Sequence, residues 1–508
     1  MPDSESLIDL LGRGAENAVA FSAPGRPDLT YAGLRSLAEE TVSALNRRGI
    51  GLDDRVAIVL PNGPEMAASF VCIACGATTA PLNPAYRQEE FEFYLDDLNA
   101  RALVVEQGST SPSVDAARKL NIEVIEISLS EENPAGTFRI PEIDQQIKAR
   151  RSGTGGPNDI ALILHTSGTT SRPKIVPLNH CNLTASAANI EASLALTHQD
   201  RCVNIMPLFH IHGLVAAILA SLHAGGSIYC TPGFNALKIF NWLDDAAPTW
   251  YTAVPTMHQA ILQRASRNRD VIERRPLRFI RSCSAALPAQ VMAEVEACFD
   301  APVIEAYAMT EAAHQMTSNP LPPAARKPGT VGIAAGPEVN IMDTAGELLP
   351  RGAVGEVVIR GSNVTLGYEN NPKANAENYT NGWFRTGDQG IMDEEGYLSI
   401  TGRLKEIINR GGEKISPREV DDVLMDHPAV AQVVTFALPH PKLGEDVAAA
   451  LVLRDDAETS ESDIREFAAG RLADFKVPRK VIFLDEIPKG ATGKLQRIGL
   501  AEKLGLTS

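Results

Sequence analysis

The stretch HTSGTTSRPK, residues 165–174, sets the terms on which the rest of the 508-residue chain is read. It gathers four hydroxyl residues, Thr166, Ser167, Thr169 and Thr170, around Gly168, and Ser171, Arg172, Pro173 and Lys174 follow. An apolar run, Ile160 to Leu164, leads into it. A buried strand emptying into a loop of small residues is a common setting for phosphate capture. Glycine lets the backbone come close to a ligand, hydroxyls donate to phosphate oxygens, and cations balance the charge. A solvated Ser/Thr turn has much the same composition, so the loop alone leaves both readings open.

A phosphate loop of the Walker type requires glycine directly before the lysine, then Ser or Thr, then a helix. Here Pro173 precedes Lys174, and Ile175, Val176 and Pro177 follow it. Proline removes a donor and β-branched residues beside a second proline do not open a helix, so this class is excluded.

The bulk properties limit the remaining choices. The length calls for several subdomains. Hydrophobic residues at 44 % and charged residues at 22 % are ordinary for a globular protein. A net charge of −16, from 47 Lys+Arg against 63 Asp+Glu, opposes general binding to nucleic acid or to an anionic membrane, yet leaves local ATP binding open. Seven cysteines, an odd number, suggest reduced thiols and a cytoplasmic location. Cys72 and Cys75 are expected on a buried helix face, because no second pair accompanies them. The first residues lack a signal-peptide charge pattern, the run Leu214 to Leu222 is too short to span a bilayer, and the ending Leu506-Thr507-Ser508 is not a peroxisomal signal.

Apolar runs at Arg55 to Leu60, Leu103 to Glu106, Ile160 to Leu164, Ser227 to Cys230 and Phe279 to Ser282 alternate with helical patterns. This predicts an α/β protein of layered subdomains with parallel sheets. From Gly329 to about Ser399, short β-branched runs between Gly and Pro turns predict a small β-rich subdomain. A boundary near Arg403 leaves 404–508 as a small C-terminal domain, with Ser416 capping a helix that starts at Pro417.

Further motifs follow the loop in order. They are PLFHIHG at 207–213, EAYAMTE at 305–311, WFRTGD at 383–388, GRLKE at 402–406 and PKGATGK at 488–494. Together with the loop they resemble the adenylate-forming superfamily of acyl-CoA synthetases, luciferase and peptide-synthetase adenylation domains, over nearly the whole chain. The departures are Ser171, Ile175 and Ala308, each where that family usually has glycine. At position 175 a β-branched side chain is expected to stiffen the exit of the loop and to forbid a positive φ.

The resemblance implies a large adenylation domain over 1–403 and a mobile α+β domain over 404–508. It implies that Thr166, Ser167, Gly168, Thr169, Thr170 and Lys174 grip the ATP phosphates. Tyr307 would stack on adenine, Asp388 and Arg403 would hold the ribose, Thr310 would touch the α-phosphate, and Glu311 would hold Mg²⁺. Lys494 would bridge the substrate carboxylate and the α-phosphate, where one cation between two anions lowers the barrier. Lys405 would be the hinge, and Gly411 and Gly412 would reach the pantetheine arm of CoA in a second domain arrangement. His210 and His212 have no partners at metal-site spacing, so a packing or pocket role is expected of them.

Within the family, RSCSAA at 281–286 and YAMTEAAH at 307–314 look most like oxalate–CoA ligases. That resemblance implies His210, Ser284 and His314 around a small dicarboxylate, because a second buried carboxylate must be met by donors. Malonate, medium-chain or aryl acids, a carrier-protein loading enzyme and a non-catalytic nucleotide-binding relative are the other readings.

Overall fold

The computed structural model describes residues 5–166, 173–454, 457–488 and 496–506. Within them the chain forms four sheets. The strands Arg55–Ile58, Thr78–Pro81, Ala102–Glu106, Glu123–Leu129 and Ile160–Thr166 run parallel in a seven-stranded sheet, with antiparallel strands at both edges. A nine-stranded sheet has a parallel centre made of Val19–Ser22, Ser227–Cys230, Arg201–Asn204, Trp250–Ala253, Phe279–Ser282 and Val303–Met309.

Parallel sheets are covered on both faces, and the sequence shows it. The helix Pro64–Ala74 is buried almost all round. With Tyr31–Arg47, His180–Leu194 and the π-helical stretch His212–Leu219 it shares one core with strands of both sheets, such as Ile58 from one and Ile228 and Trp250 from the other. Cys72 and Cys75 lie buried and unbridged, and burial pushes both thiols up in pKa.

The β-rich region is an antiparallel sheet of Glu338–Met342, Val354–Arg360, Tyr379–Thr380, Trp383–Met392 and Leu398–Arg403. After residues 404–407, Ile408–Arg410 begins the last sheet, which carries the helices Pro417–Met425 and Glu461–Ala469 and cores of its own. Ser416 caps the first of these helices by accepting from the Glu419 amide at 3.3 Å. Among the described residues no helix is long and apolar enough to cross a membrane.

Glu305 lies inside the nine-stranded sheet, 1 % exposed, where its Oε1 accepts from the Leu287 amide at 3.0 Å. Burial pushes its pKa from 4.5 up to about 7, although Arg418 of the last domain pulls it down. A carboxyl raised in the folded state favours folding while it is protonated. That contribution is complete below about pH 4.5 and is lost as pH rises through about 7. The size of the shift corresponds to about 3 kcal/mol. Glu305→Gln should therefore raise the melting temperature relative to the parent at pH 8 and change it far less at pH 5, as followed by thermal denaturation at the two pH values.

Candidate active site

The phosphate-loop motif spans the ends of an antiparallel hairpin. Ile160–Thr166 pairs with Lys174–Asn179, Thr166 opposite Lys174 and His165 opposite Ile175. His165 Nε2 lies 3.0 Å from Asp97 Oδ2, which ties the end of the first strand to the helix Gln88–Asp97. Ser167, Gly168, Thr169 and Thr170 lie outside the described residues, as do Ser171, Arg172 and Lys494.

Ile175 is a strand residue, not part of a turn. It is absent from the positions with positive φ, and its side chain is 6 % exposed in a core with Val59, Leu82 and Ile163. Its carbonyl accepts from the Glu369 amide at 3.1 Å. The expected conflict with a positive φ is thus corrected: an extended strand suits a β-branched residue, and the core holds its side chain.

Lys174, at the start of the second strand, places Nζ 4.2 Å from the centroid of the Tyr368 ring. The Tyr368 hydroxyl donates to Glu311 Oε1 at 2.8 Å. Glu311 is 7 % exposed, and among the described residues no Lys or Arg reaches ion-pair distance of it. Burial raises its pKa, and the Tyr368 bond and Lys174 oppose the rise. Burial lowers the pKa of Lys174, and Glu311 opposes that. Thr310 opens the 3₁₀ turn Thr310–Ala312 that carries Glu311, and the Glu311 carbonyl accepts from the Thr365 amide at 2.7 Å.

No cluster of three His, Cys, Asp or Glu suited to a metal occurs among the described residues. Mg²⁺ at nucleotide sites is commonly held by one or two carboxylates and the phosphates themselves. The buried carboxylate of Glu311, without an ion-pair partner among the described residues, fits that pattern.

Asp388 and Arg403 face each other across neighbouring strands, and Arg403 Nε lies 3.2 Å from Asp388 Oδ1. The Tyr307 hydroxyl donates to the other oxygen, Oδ2. Burial and the Asp388 carboxylate push the Tyr307 phenol well above its ordinary pKa, so it stays a donor. Three residues named separately along the sequence thus meet at one carboxylate.

Of the acyl candidates, Ser284 and His314 are linked through His212, whose Nδ1 lies 3.0 Å from the Ser284 Oγ and whose Nε2 lies 2.6 Å from Thr252 Oγ1. The π-helical stretch begins at His212, a feature that often marks functional sites. The His212 ring stacks on His314, centroids 5.0 Å apart. His210 lies two residues earlier, its ring 5.5 Å from that of Phe209.

Behind His314 lies Arg281, fully buried, which donates from Nη1 to His314 Nε2 at 3.1 Å and from Nη2 to Gln315 Oε1 at 3.1 Å. No carboxylate pairs with it among the described residues, and burial lowers its pKa. Register explains the grouping: Asn204, Thr252 and Arg281 are successive cross-strand partners, a polar row across three neighbouring strands. Ser284 at φ 75° and His314 at φ 102° both occupy the left-handed half of backbone space, where side-chain-bearing residues are rare and cluster at functional sites.

Lys405 lies exposed in the turn between the third and fourth sheets. Gly411 and Gly412, at φ 60° and 103°, form the two-residue turn between Ile408–Arg410 and Glu413–Ile415, a conformation that favours glycine at both places. The Gly411 amide donates to the Leu443 carbonyl at 2.9 Å, within the same domain.

Sequence reasoning missed Thr252, Arg281 and Tyr368. Arg281 carried a signal, a lone charge inside an apolar strand-like run; Tyr368 and Thr252 carried none.

The chain matches the family model described as AMP-binding enzyme over residues 12–369 and the AMP-binding enzyme C-terminal domain over 419–494. It is 45 % identical over 503 residues to an oxalate–CoA ligase of Arabidopsis thaliana, covering 97 % of this chain and 98 % of that one. It is 43 % identical to an oxalate–CoA ligase of Saccharomyces cerevisiae, covering 90 % and 88 %. ATP-bound MatB from Rhodopseudomonas palustris superposes with a TM-score of 0.88 at 30 % identity over 98 % of each chain. The chain belongs to the AMP-binding enzyme family.

The packing of Ile175 makes a direct prediction. Ile175→Gly restores the residue usual in the family but removes a buried side chain from a strand. It should destabilise the protein by about 3–5 kcal/mol, measured by chemical denaturation.

Proposed function

We propose that this member of the AMP-binding enzyme family is an ATP-dependent ligase that joins a small dicarboxylate, oxalate first of all, to CoA through an acyl-adenylate. The observation that carries the substrate reading is the buried Arg281 guanidinium, without a carboxylate partner among the described residues, behind His314, His212 and Ser284. A buried cation with only neutral partners favours an anion nearby, and the second carboxylate of a dicarboxylate supplies one. The two oxalate–CoA ligases at 43–45 % identity support the same reading.

In the first half-reaction a carboxylate oxygen of the acid attacks the α-phosphorus of ATP, the bond to the bridging oxygen breaks, and pyrophosphate leaves. The loop hydroxyls of Thr166, Ser167, Thr169 and Thr170, the Gly168 backbone and the Lys174 ammonium would hold the departing phosphates. Glu311 would hold Mg²⁺, which supplies charge neutralisation on the triphosphate. Tyr307 would flank adenine while Asp388 and Arg403 take the ribose hydroxyls, and Thr310 would donate to the α-phosphate. Lys494 would lie between the two reacting anions. In the second half the CoA sulfur attacks the acyl carbon, AMP leaves with the bonding electrons, and the thiol proton passes to solvent. Rotation of 404–508 about Lys405 would withdraw Lys494 and bring Gly411 and Gly412 to the pantetheine arm.

One observation favours a second reading. A largely apolar cavity of about 370 Å³, lined in part by Leu60, Met66, Leu82, Leu208, Phe234 and Met257, adjoins the PLFHIHG segment and would suit a medium-chain or aryl acid.

A panel of acids assayed for AMP release with and without CoA separates the two. Oxalate should give CoA-dependent AMP and octanoate none; the reverse result sinks the dicarboxylate reading. Lys494→Ala should slow adenylation by about 10²–10³-fold while leaving thioester formation from supplied acyl-adenylate intact. Unchanged adenylation would remove Lys494 from the first half-reaction.

A further inference from the structure

The contacts of His212 raise a question of proton placement. Its two ring nitrogens lie between two hydroxyls, Thr252 Oγ1 at 2.6 Å and Ser284 Oγ at 3.0 Å. A neutral imidazole donates from one nitrogen and accepts at the other, and what each nitrogen meets decides which. Thr252 is fully buried in the strand Trp250–Ala253. Among the described residues its hydroxyl has one hydrogen-bond partner, His212 Nε2. If Nε2 carried the proton, the Thr252 hydroxyl hydrogen would be buried without an acceptor, the costly outcome of the two. Thr252 therefore donates to Nε2, and the His212 proton resides on Nδ1.

The consequence lies at Ser284. His212 Nδ1–H donates to its Oγ, so the Ser284 hydroxyl hydrogen is not used against His212. Ser284 is half-buried, and its hydroxyl has no other protein partner among the described residues. With the opposite tautomer Ser284 would donate inward and offer the pocket only lone pairs, which repel a carboxylate. Arg281 acts in parallel on the stacked ring: its guanidinium can only donate, so His314 accepts at Nε2. In each ring one nitrogen thus accepts from the sheet and the other carries the proton, and each bond in such a chain polarises the next.

Resting on the reading of a carboxylate-bearing acid at Ser284, we propose that Thr252 is a specificity-determining positioning residue: it fixes the Nδ1–H tautomer of His212 and so makes Ser284 a hydrogen-bond donor to the substrate's distal carboxylate. Thr252 itself touches no substrate.

The test uses the full-length protein labelled with ¹⁵N-histidine. Long-range ¹H–¹⁵N correlation spectra should show His212 as the Nδ1–H tautomer in the parent. Thr252→Val, near-isosteric but without the hydroxyl, should shift it toward Nε2–H, and Thr252→Ser should restore it. In kinetics, Thr252→Val should raise the KM for oxalate about tenfold, the effect of losing roughly 1.4 kcal/mol of binding, while the KM for ATP stays unchanged. In a Ser284→Ala background the same substitution should have no further effect on the KM for the acid. An Nε2–H tautomer in the parent overturns the proposal, as does a Thr252→Val penalty of equal size with and without Ser284. If oxalate is no substrate, the functional reading fails by itself. The tautomer measurement still stands, and the double-mutant cycle can be run with whichever carboxylate the acid panel selects.

Discussion

Two buried charges of opposite sign, neither with an ion-pair partner among the described residues, organise this molecule. Arg281 sits inside the nine-stranded sheet with only neutral groups on its guanidinium. Glu311 sits below the phosphate hairpin with a tyrosine hydroxyl on one oxygen. Either could have been satisfied by an opposite charge of the protein, and a folded chain left without one bears the cost of desolvation. The same seven-residue strand, Val303–Met309, and the turn after it connect the two, since His314 meets Arg281 and Glu311 lies three residues before His314. The proposed substrates, a carboxylate near Arg281 and a metal-bearing triphosphate near Glu311, would relieve both.

The architecture that holds these charges is rigid where it must be. The main core runs continuously from one parallel sheet through the intervening helices to the other. The functional groups stand at its edges, on strand ends and the turns that leave them, which is where open α/β sheets bind ligands. Positive φ at Ser284 and His314 costs on the order of 1–3 kcal/mol each. Such strain persists only where surrounding structure over-determines it, and here the polar row of Asn204, Thr252 and Arg281 and the helix covering it do so.

How far the sequence could be read follows from what kind of constraint each residue obeys. The strands Ser227–Cys230 and Phe279–Ser282 were legible because a parallel strand buried on both faces is a short apolar run with clear ends. Tyr307, Asp388 and Arg403 were legible through their motifs, and the structure brings them to one carboxylate. Ile175 was misread because the motif treats its position as loop, whereas pairing with His165 had already made it strand. Nothing in PLFHIHG distinguishes two histidines two apart; the π-helical start and a hydroxyl across the sheet mark out His212. Thr252 and Tyr368 act through register and a long-range ring contact, and neither has a local pattern.

The position of Arg403 ties the proposed ribose contact to the motion proposed for the last domain. It ends the strand Leu398–Arg403, and the fourth sheet begins at Ile408, so only residues 404–407 separate the Asp388–Arg403 pair from the other domain. The Leu404 amide donates to the Gly387 carbonyl at 2.9 Å, which anchors the first of these four to the strand beside Asp388. On the far side Glu406 pairs with Arg497 at 3.5 Å, and Ser416 and Arg418 donate to the carbonyls of Thr401 and Ile400. A rotation that kept Arg403 on Asp388 would therefore have to be absorbed at Lys405, between two anchored neighbours, and would break the Ser416 and Arg418 bonds as it proceeded. Nucleotide binding at Asp388, as proposed, and domain orientation would then bear on the same five residues. In such an arrangement AMP and ATP would favour different domain positions only through what they change at Asp388, Arg403 and the phosphates beyond them.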